Sequence, residues 1–194
     1  MATSLAGLPD TFTVAQATAA GVSKTTLYRL RDQGHVESVA RGVYRRAAAP
    51  TDTNVELVEL ALRVPNATLC LETALARHDL SDALIAAPDI AVPRGTRPPV
   101  LEWPVRWHFF QTATFAVERN QLALEEGVSI GLYSAERSIV DAFRLRGREG
   151  RDVANEALRR WLRRRGAEPS KLVAIAAQLP RTLSPLRHAL EVLL

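Results

Sequence analysis

The chain has 194 residues, 47% of them hydrophobic and 24% charged, an ordinary globular composition with enough apolar material for one or two domains. Its one cysteine, Cys70, excludes an internal disulfide and any multi-cysteine zinc site, and no apolar run approaches membrane-spanning length. The formal charge of +4 is unevenly spread: residues 1–49 hold six Lys/Arg against three Asp/Glu, residues 50–143 seven against thirteen, and residues 144–194 twelve against five.

Two basic ends therefore bracket an acidic middle. Basic surface favours nucleic acid, and acidic surface repels it and suits a basic protein partner. The first eight residues are too short and too uncharged for a signal peptide, which gives the expectation of a cytoplasmic protein.

Residues 11–46 carry the most information. Thr13 is placed to cap a first helix with Val14 and Ala17 inward, and Ala15, Ala19 and Ala20 extend it cheaply. Gly21 supplies a positive-φ turn, Val22 plugs the corner, and Ser23 caps a second helix from Lys24 to about Gln33. On that helix Leu27 and Leu30 share a face, while Lys24, Thr25, Tyr28, Arg29 and Arg31 fall largely on the remaining surface. Gly34 ends it, and Val36–Val39 and Val43–Arg46 flank the turn Ala40-Arg41-Gly42.

Two helices joined by a three-residue turn and followed by a cationic hairpin have the layout of a winged helix-turn-helix. The second helix fits the DNA major groove, with Ser23, Lys24, Thr25, Tyr28 and Arg29 as contact candidates. Arg41, Arg45 and Arg46, on or beside the hairpin, are placed to clamp phosphates. A similar unit also serves as a protein–protein module; the spacing and the basic hairpin together favour DNA.

Residues 47–52 read as a connector, so the expected division is a DNA-binding domain at 1–49 and a second domain at 50–194. Thr53–Val64 is a helix buried over a broad arc and stopped by Pro65, followed by a strand at Thr68–Leu71 and a helix at Glu72–Leu80. Asp89–Pro93, Val105–Gln111, Gln121–Glu126 and Val128–Tyr133 are short β-rich runs, which predicts a small, mostly antiparallel sheet. The loop Arg94–Pro104, with Gly95, Pro98, Pro99 and Pro104, is irregular. From Ser134 the chain reads as helical: Ala135–Leu145, about Gly150–Arg165, Pro169 to about Leu179, and Pro185–Leu194. The expected fold is thus α+β, with a sheet-containing part at 50–133 and a helical part at 134–194.

Arg159, Arg160, Arg163, Arg164 and Arg165 lie opposite an apolar stripe of Val153, Ala157, Leu158, Trp161 and Leu162. That arginine face suits nucleic acid or an acidic partner patch, and equally a solvated helix end complementing the helix dipole. His35, His78, His108 and His188 are far apart and lack metal-ligand spacing, so they read as structural, and no metal or cofactor is expected. Trp103 and Trp107 read as anchors of a loop to the core. No G-x-S-x-G elbow, glycine-rich phosphate loop or Cys/His nucleophile pair is present, and the carboxylates between residues 72 and 141 have no organising pattern.

The order of a helix-turn-helix closing in RGVYRR (Arg41–Arg46), then LETALARHDLSD (Leu71–Asp82), IAVPRGTRPP (Ile90–Pro99) and YSAERSIVDAFRLR (Tyr133–Arg146) resembles the AbiEi-type antitoxins of type IV toxin–antitoxin systems, above all mycobacterial-type members. The resemblance covers nearly the whole chain. It implies a bacterial, cytoplasmic antitoxin and autoregulating transcriptional repressor that binds inverted repeats in its operator, as a homodimer or as two copies. It further implies a cognate AbiEii-type nucleotidyltransferase toxin as partner. It carries DNA reading onto Lys24, Thr25, Tyr28 and Arg29 and the wing role onto Arg41, Arg45 and Arg46, and it carries no catalytic residue.

Such a toxin would add nucleotides to RNA and present a basic groove, which the acidic middle of this chain would suit. Sequestration, opposition without a stable complex and promoted covalent inactivation of the toxin all remain open. A ligand-sensing repressor without a toxin partner is the alternative reading. A fused nuclease is disfavoured, because its Glu-x-Lys signature is missing: Val22 stands two before Lys24 and Pro169 two before Lys171.

Overall fold

In the computed structural model, which describes residue 5 and residues 7–50, 54–149 and 151–193, the chain forms two units. In the first, the Thr13 hydroxyl accepts from the Gln16 backbone N–H and the Gln16 side chain accepts from the Thr13 N–H. This reciprocal cap fixes the start of α1, Val14–Ala19. Gly21, at φ +83°, makes the left-handed turn, Val22 is buried in the corner, and Ser23 caps α2, Lys24–Asp32, by accepting from the Thr26 N–H. Leu27 and Leu30 are the buried positions of α2, as their spacing predicts.

One strand of this unit has no counterpart in the sequence reading. β1, Thr11–Thr13, pairs antiparallel with β3, Val43–Arg46, whose other edge pairs with β2, Val36–Ala40. The sheet order is β1-β3-β2, which makes β3 the central strand. Phe12 of β1 joins Ala17, Val22, Leu27, Leu30, Val36 and Tyr44 in one core. Three residues are too few for an alternation to be recognised.

Asn54 caps α3, Val55–Arg63, by accepting from the Leu57 N–H, and α3 packs against β1 and β2 with Leu57, Val58 and Leu60 buried. The unit therefore runs from Met1 to Asn66 and also takes in Gln121–Ile130, whereas the sequence placed a boundary at 49/50. The apolar face of α3 carries the unit past the connector. Residues 51–53 of that connector, and with them the expected helix start at Thr53, lie outside the described residues, as do Gly150 and Leu194.

The second unit comprises Ala67–Asn120 and Gly131–Leu194. In chain order it adds β4 (Thr68–Leu69), α4 (Leu71–Arg77), β5 (Asp89–Pro93), β6 (Arg106–Phe110) and α5 (Thr112–Phe115). The hairpin of β7 (Arg119–Glu125) and β8 (Val128–Tyr133) follows, its outer part Gln121–Ile130 being counted with the first unit, and the sheet order is β6-β5-β4-β8-β7. β4 and β5 are antiparallel, and parallel pairings of β4 with β8 and of β5 with β6 join them. Both parallel partners are reached by connections longer than a hairpin turn.

The helical part consists of α6 (Ala135–Glu149), α7 (Arg151–Leu162), α8 (Pro169–Gln178) and α9 (Leu183–Leu193). Ile139, Val140 and Phe143 of α6 meet Ala154, Leu158 and Trp161 of α7 and Leu172, Ile175 and Leu186 of the last two helices in one core. The α+β class and the helical C-terminal part are those expected. α9 begins two residues before Pro185, a first-turn place where proline breaks no helical hydrogen bond. Among the described residues no helix is long and apolar enough to cross a membrane.

Candidate nucleic-acid interface

α2 owes its two-sidedness to spacing. Lys24 and Tyr28, and Thr25 and Arg29, are each four apart, so these side chains form one patch on the face opposite Leu27 and Leu30. Ser23, Lys24, Thr25, Tyr28 and Arg29 are all exposed, and nine helical residues give a reading element about 13 Å long. Tyr28 is 45% exposed, with the Arg31 guanidinium 5.2 Å from its ring centroid. Arg31 itself is paired with Asp32 at 2.8 Å, which spends its charge within the helix end. Arg41 stands exposed at the wing turn, followed by Gly42 at φ +80°.

Arg45 and Arg46 are not placed as expected. Arg45 lies in the central strand opposite Thr11, and its side chain is only 5% exposed. It donates to Thr11 Oγ1 at 3.1 Å and to the Pro50 carbonyl, and it pairs with Glu125 at 3.5 Å. Glu125 in turn accepts from the Thr11 N–H at 2.7 Å and the Thr11 hydroxyl at 3.2 Å. Arg46 donates to the carbonyls of Leu5 and Leu8. β3 is flanked on both edges, so its arginines tie this unit together, and Arg41 is the exposed one of the three wing arginines. Glu125 escaped sequence reasoning because its partners lie more than seventy residues away.

The C-terminal arginines are divided as well. Arg160 donates to Glu156 at 2.9 Å and pairs with Asp82, and Arg164 donates to the His78 carbonyl. Arg159 is half-exposed and 3.9 Å from Glu156, while Arg163 and Arg165 are exposed beyond the end of α7. The expected continuous face is broken, since two of its guanidiniums are engaged within the unit.

Two histidines serve as structural ties: His78 Nε2 lies 2.8 Å from the Tyr133 carbonyl, and His108 Nε2 lies 2.9 Å from Asp89 Oδ1. Burial acts to raise the Asp89 carboxyl, but hydrogen bonds from His108 and from Arg106, at 2.8 and 2.7 Å, hold it below the usual carboxylate range. His35 and His188 are exposed, and Trp103 and Trp107 are half-buried. Among the described residues no group of three or more His, Cys, Asp or Glu is placed to hold a metal ion.

Residues 1–47, the segment that holds α1, α2 and the wing, match the family model described as "Transcriptional regulator, AbiEi antitoxin". Comparison with curated proteins gives no match.

Proposed function

We propose that this chain, whose N-terminal segment is of the AbiEi antitoxin and transcriptional-regulator type, represses its own operon by seating α2 in the major groove of operator DNA, and that the rest of the chain counters a toxin. The observation that carries this reading is the exposed patch of Ser23, Lys24, Thr25, Tyr28 and Arg29 above a buried Leu27 and Leu30. Lys24 and Arg29 meet phosphates or guanine edges, Thr25 and Tyr28 offer hydroxyls to base edges, and Ser23 sits at the helix start where phosphate is favoured. Arg41 adds a phosphate contact from the wing. One such helix reads a few base pairs, so operator inverted repeats engage two copies, as a homodimer or side by side.

The toxin of this reading is an AbiEii-type nucleotidyltransferase with a basic RNA groove. Its complement here is the set of exposed carboxylates, among them Glu102, Glu118 and Glu126. Glu59, Asp89, Glu125 and Asp141 contribute little to it, because each is buried and paired. The reading assigns the chain no catalytic step.

The test is fluorescence anisotropy on the chain's own promoter fragment and on random DNA at two salt concentrations, together with co-expression of the neighbouring gene product. Promoter preference with growth rescue is the expected result. Equal, salt-insensitive binding to both DNAs refutes the regulator reading, and unrelieved toxicity with intact promoter binding refutes the antitoxin half alone.

A further inference from the structure

Arg46 Nε apart, the buried side-chain polar atoms without a hydrogen-bond partner among the described residues all fall in one cluster of the second unit: Arg137 Nη2, Asp141 Oδ1 and Arg144 Nε. Arg137 is fully buried 4.5 Å from the Tyr133 ring centroid, and Arg144 lies 4.5 Å from that of Phe110. Arg137 Nε donates to Asp141 Oδ2 at 2.8 Å, whereas Arg144 Nη2 approaches Asp141 Oδ1 at 2.9 Å without hydrogen-bond alignment. Two guanidiniums thus share one carboxylate. The cluster carries a surplus positive charge and unspent donors, an arrangement that buried polar groups seldom keep unless something else completes it.

Arg144, 13% exposed at its side chain, lines a cleft of about 440 Å³ together with Arg94, Trp107, His108, Phe109 and Gln111. No carboxylate lines that cleft, since Asp89 lies behind His108 and is already bound by Arg106. Its place in the fold is an independent pointer. Arg94 directly follows β5 and Gln111 directly follows β6, a parallel pair, and the Arg94 N–H is bonded to the Phe110 carbonyl at 2.7 Å. The cleft therefore runs along the edge strand β6 and reaches the carboxyl ends of two parallel strands, where parallel sheets characteristically take ligands.

The chemistry of the lining is that of a phosphate with an aromatic attached. The planar forks of Arg94 and Arg144 match phosphate oxygens, Gln111 offers an amide donor, and Trp107 and the 47% exposed Phe109, which alternate with His108 and Phe110 along the edge strand, add aromatic surface at the rim for a base. We propose that this cleft is a nucleotide-binding site, with the phosphates held by Arg94, Arg144 and Gln111 and the base against Trp107. The site is separate from the DNA-reading patch and does not depend on the toxin reading.

Calorimetric titration of the full chain with ATP and CTP, and with adenosine, cytidine and inorganic phosphate as the partial probes, tests it. Saturable binding of at least one triphosphate, about tenfold or more tighter than its nucleoside or phosphate alone, is expected. Arg94→Gln and Trp107→Leu should each weaken it by about tenfold, and Arg144→Gln should do the same from the buried end. Arg94 is exposed, so its variant reads binding even if Arg144→Gln fails to fold. Lys24→Ala with Arg41→Ala should leave nucleotide binding unchanged. The inference is overturned by no saturable binding at millimolar nucleotide, by nucleoside or phosphate binding as tightly as the triphosphate, or by wild-type affinity in Arg94→Gln and Trp107→Leu.

Discussion

Arg45→Ala is expected to weaken the N-terminal unit rather than its grip on phosphate. The side chains of Arg45 and Glu125 are 5% and 6% exposed, so the substitution strands a carboxylate that solvent hardly reaches. Removing one member of a buried ion pair costs about 3–5 kcal/mol. Glu125 keeps two hydrogen bonds from Thr11, at 2.7 and 3.2 Å, which places the loss at the lower end, about 3 kcal/mol. That is a large share of the roughly 5–15 kcal/mol that holds a domain folded. Urea unfolding of the wild type, Arg45→Ala, Glu125→Gln and the double variant measures it. The double variant should cost less than the sum of the singles by more than about 1 kcal/mol, because the same pair is broken in each. The three tryptophans, Trp103, Trp107 and Trp161, all lie in the second unit, so far-ultraviolet circular dichroism should lose signal before tryptophan fluorescence does. An Arg45→Ala protein of wild-type stability that binds every DNA less tightly, with a shallower salt dependence, would refute this reasoning and restore the side chain to the wing.

Four further outcomes follow from the same geometry. Arg41→Ala should lower affinity for operator and random DNA alike and reduce the slope of log K against log salt by about one, read by anisotropy across a salt series. Tyr28→Ala or Thr25→Ala should instead narrow the gap between operator and random DNA by about 1–3 kcal/mol, and an unchanged ratio would remove these residues from the reading face. Gly131→Ala would set a Cβ 2.5 Å from Thr68 Oγ1 and 2.5 Å from Arg119 Nη2, with Thr68 fully buried, so overpacking should cost the second unit about 1–3 kcal/mol in a urea titration followed by tryptophan fluorescence. Asp89 has a lowered folded pKa, so its contribution is complete above the unfolded value and is lost as pH falls through the folded one. The stability difference between wild type and Asp89→Asn should therefore be level near neutrality and shrink below about pH 4, whereas a difference that grows on acidification contradicts the pairing.

The reading helix was legible because everything that defines it is local. The Ser23 cap, the Gly21 turn and the Leu27–Leu30 spacing act within a few residues, and the bounds of β5 and β8 came out as expected because Pro, Gly or a helix cap closes each run. β1 and α5, of three and four residues, were too short to show a period. The failure over β1 propagated. With β1 unseen, β3 read as the outer strand of a hairpin, where Arg45 and Arg46 would face solvent; with β1 in place, β3 is central and both arginines turn to partners inside the unit.

Charge was legible only as a sum, and the sum misplaces it. Of the six cations in residues 1–49, Arg31 is offset by Asp32, Arg45 by a glutamate from the acidic middle, and Arg46 is bound to carbonyls. Lys24, Arg29 and Arg41 are exposed, all on the helix or turn that faces DNA in the proposed complex. The same pairing that takes cations from the wing takes Glu59, Asp89, Glu125 and Asp141 from the acidic surface. A segment's net charge therefore bounds what it can attract, but the fold decides which charges remain to do so, because a guanidinium in a dry strand finds its carboxylate before any phosphate arrives.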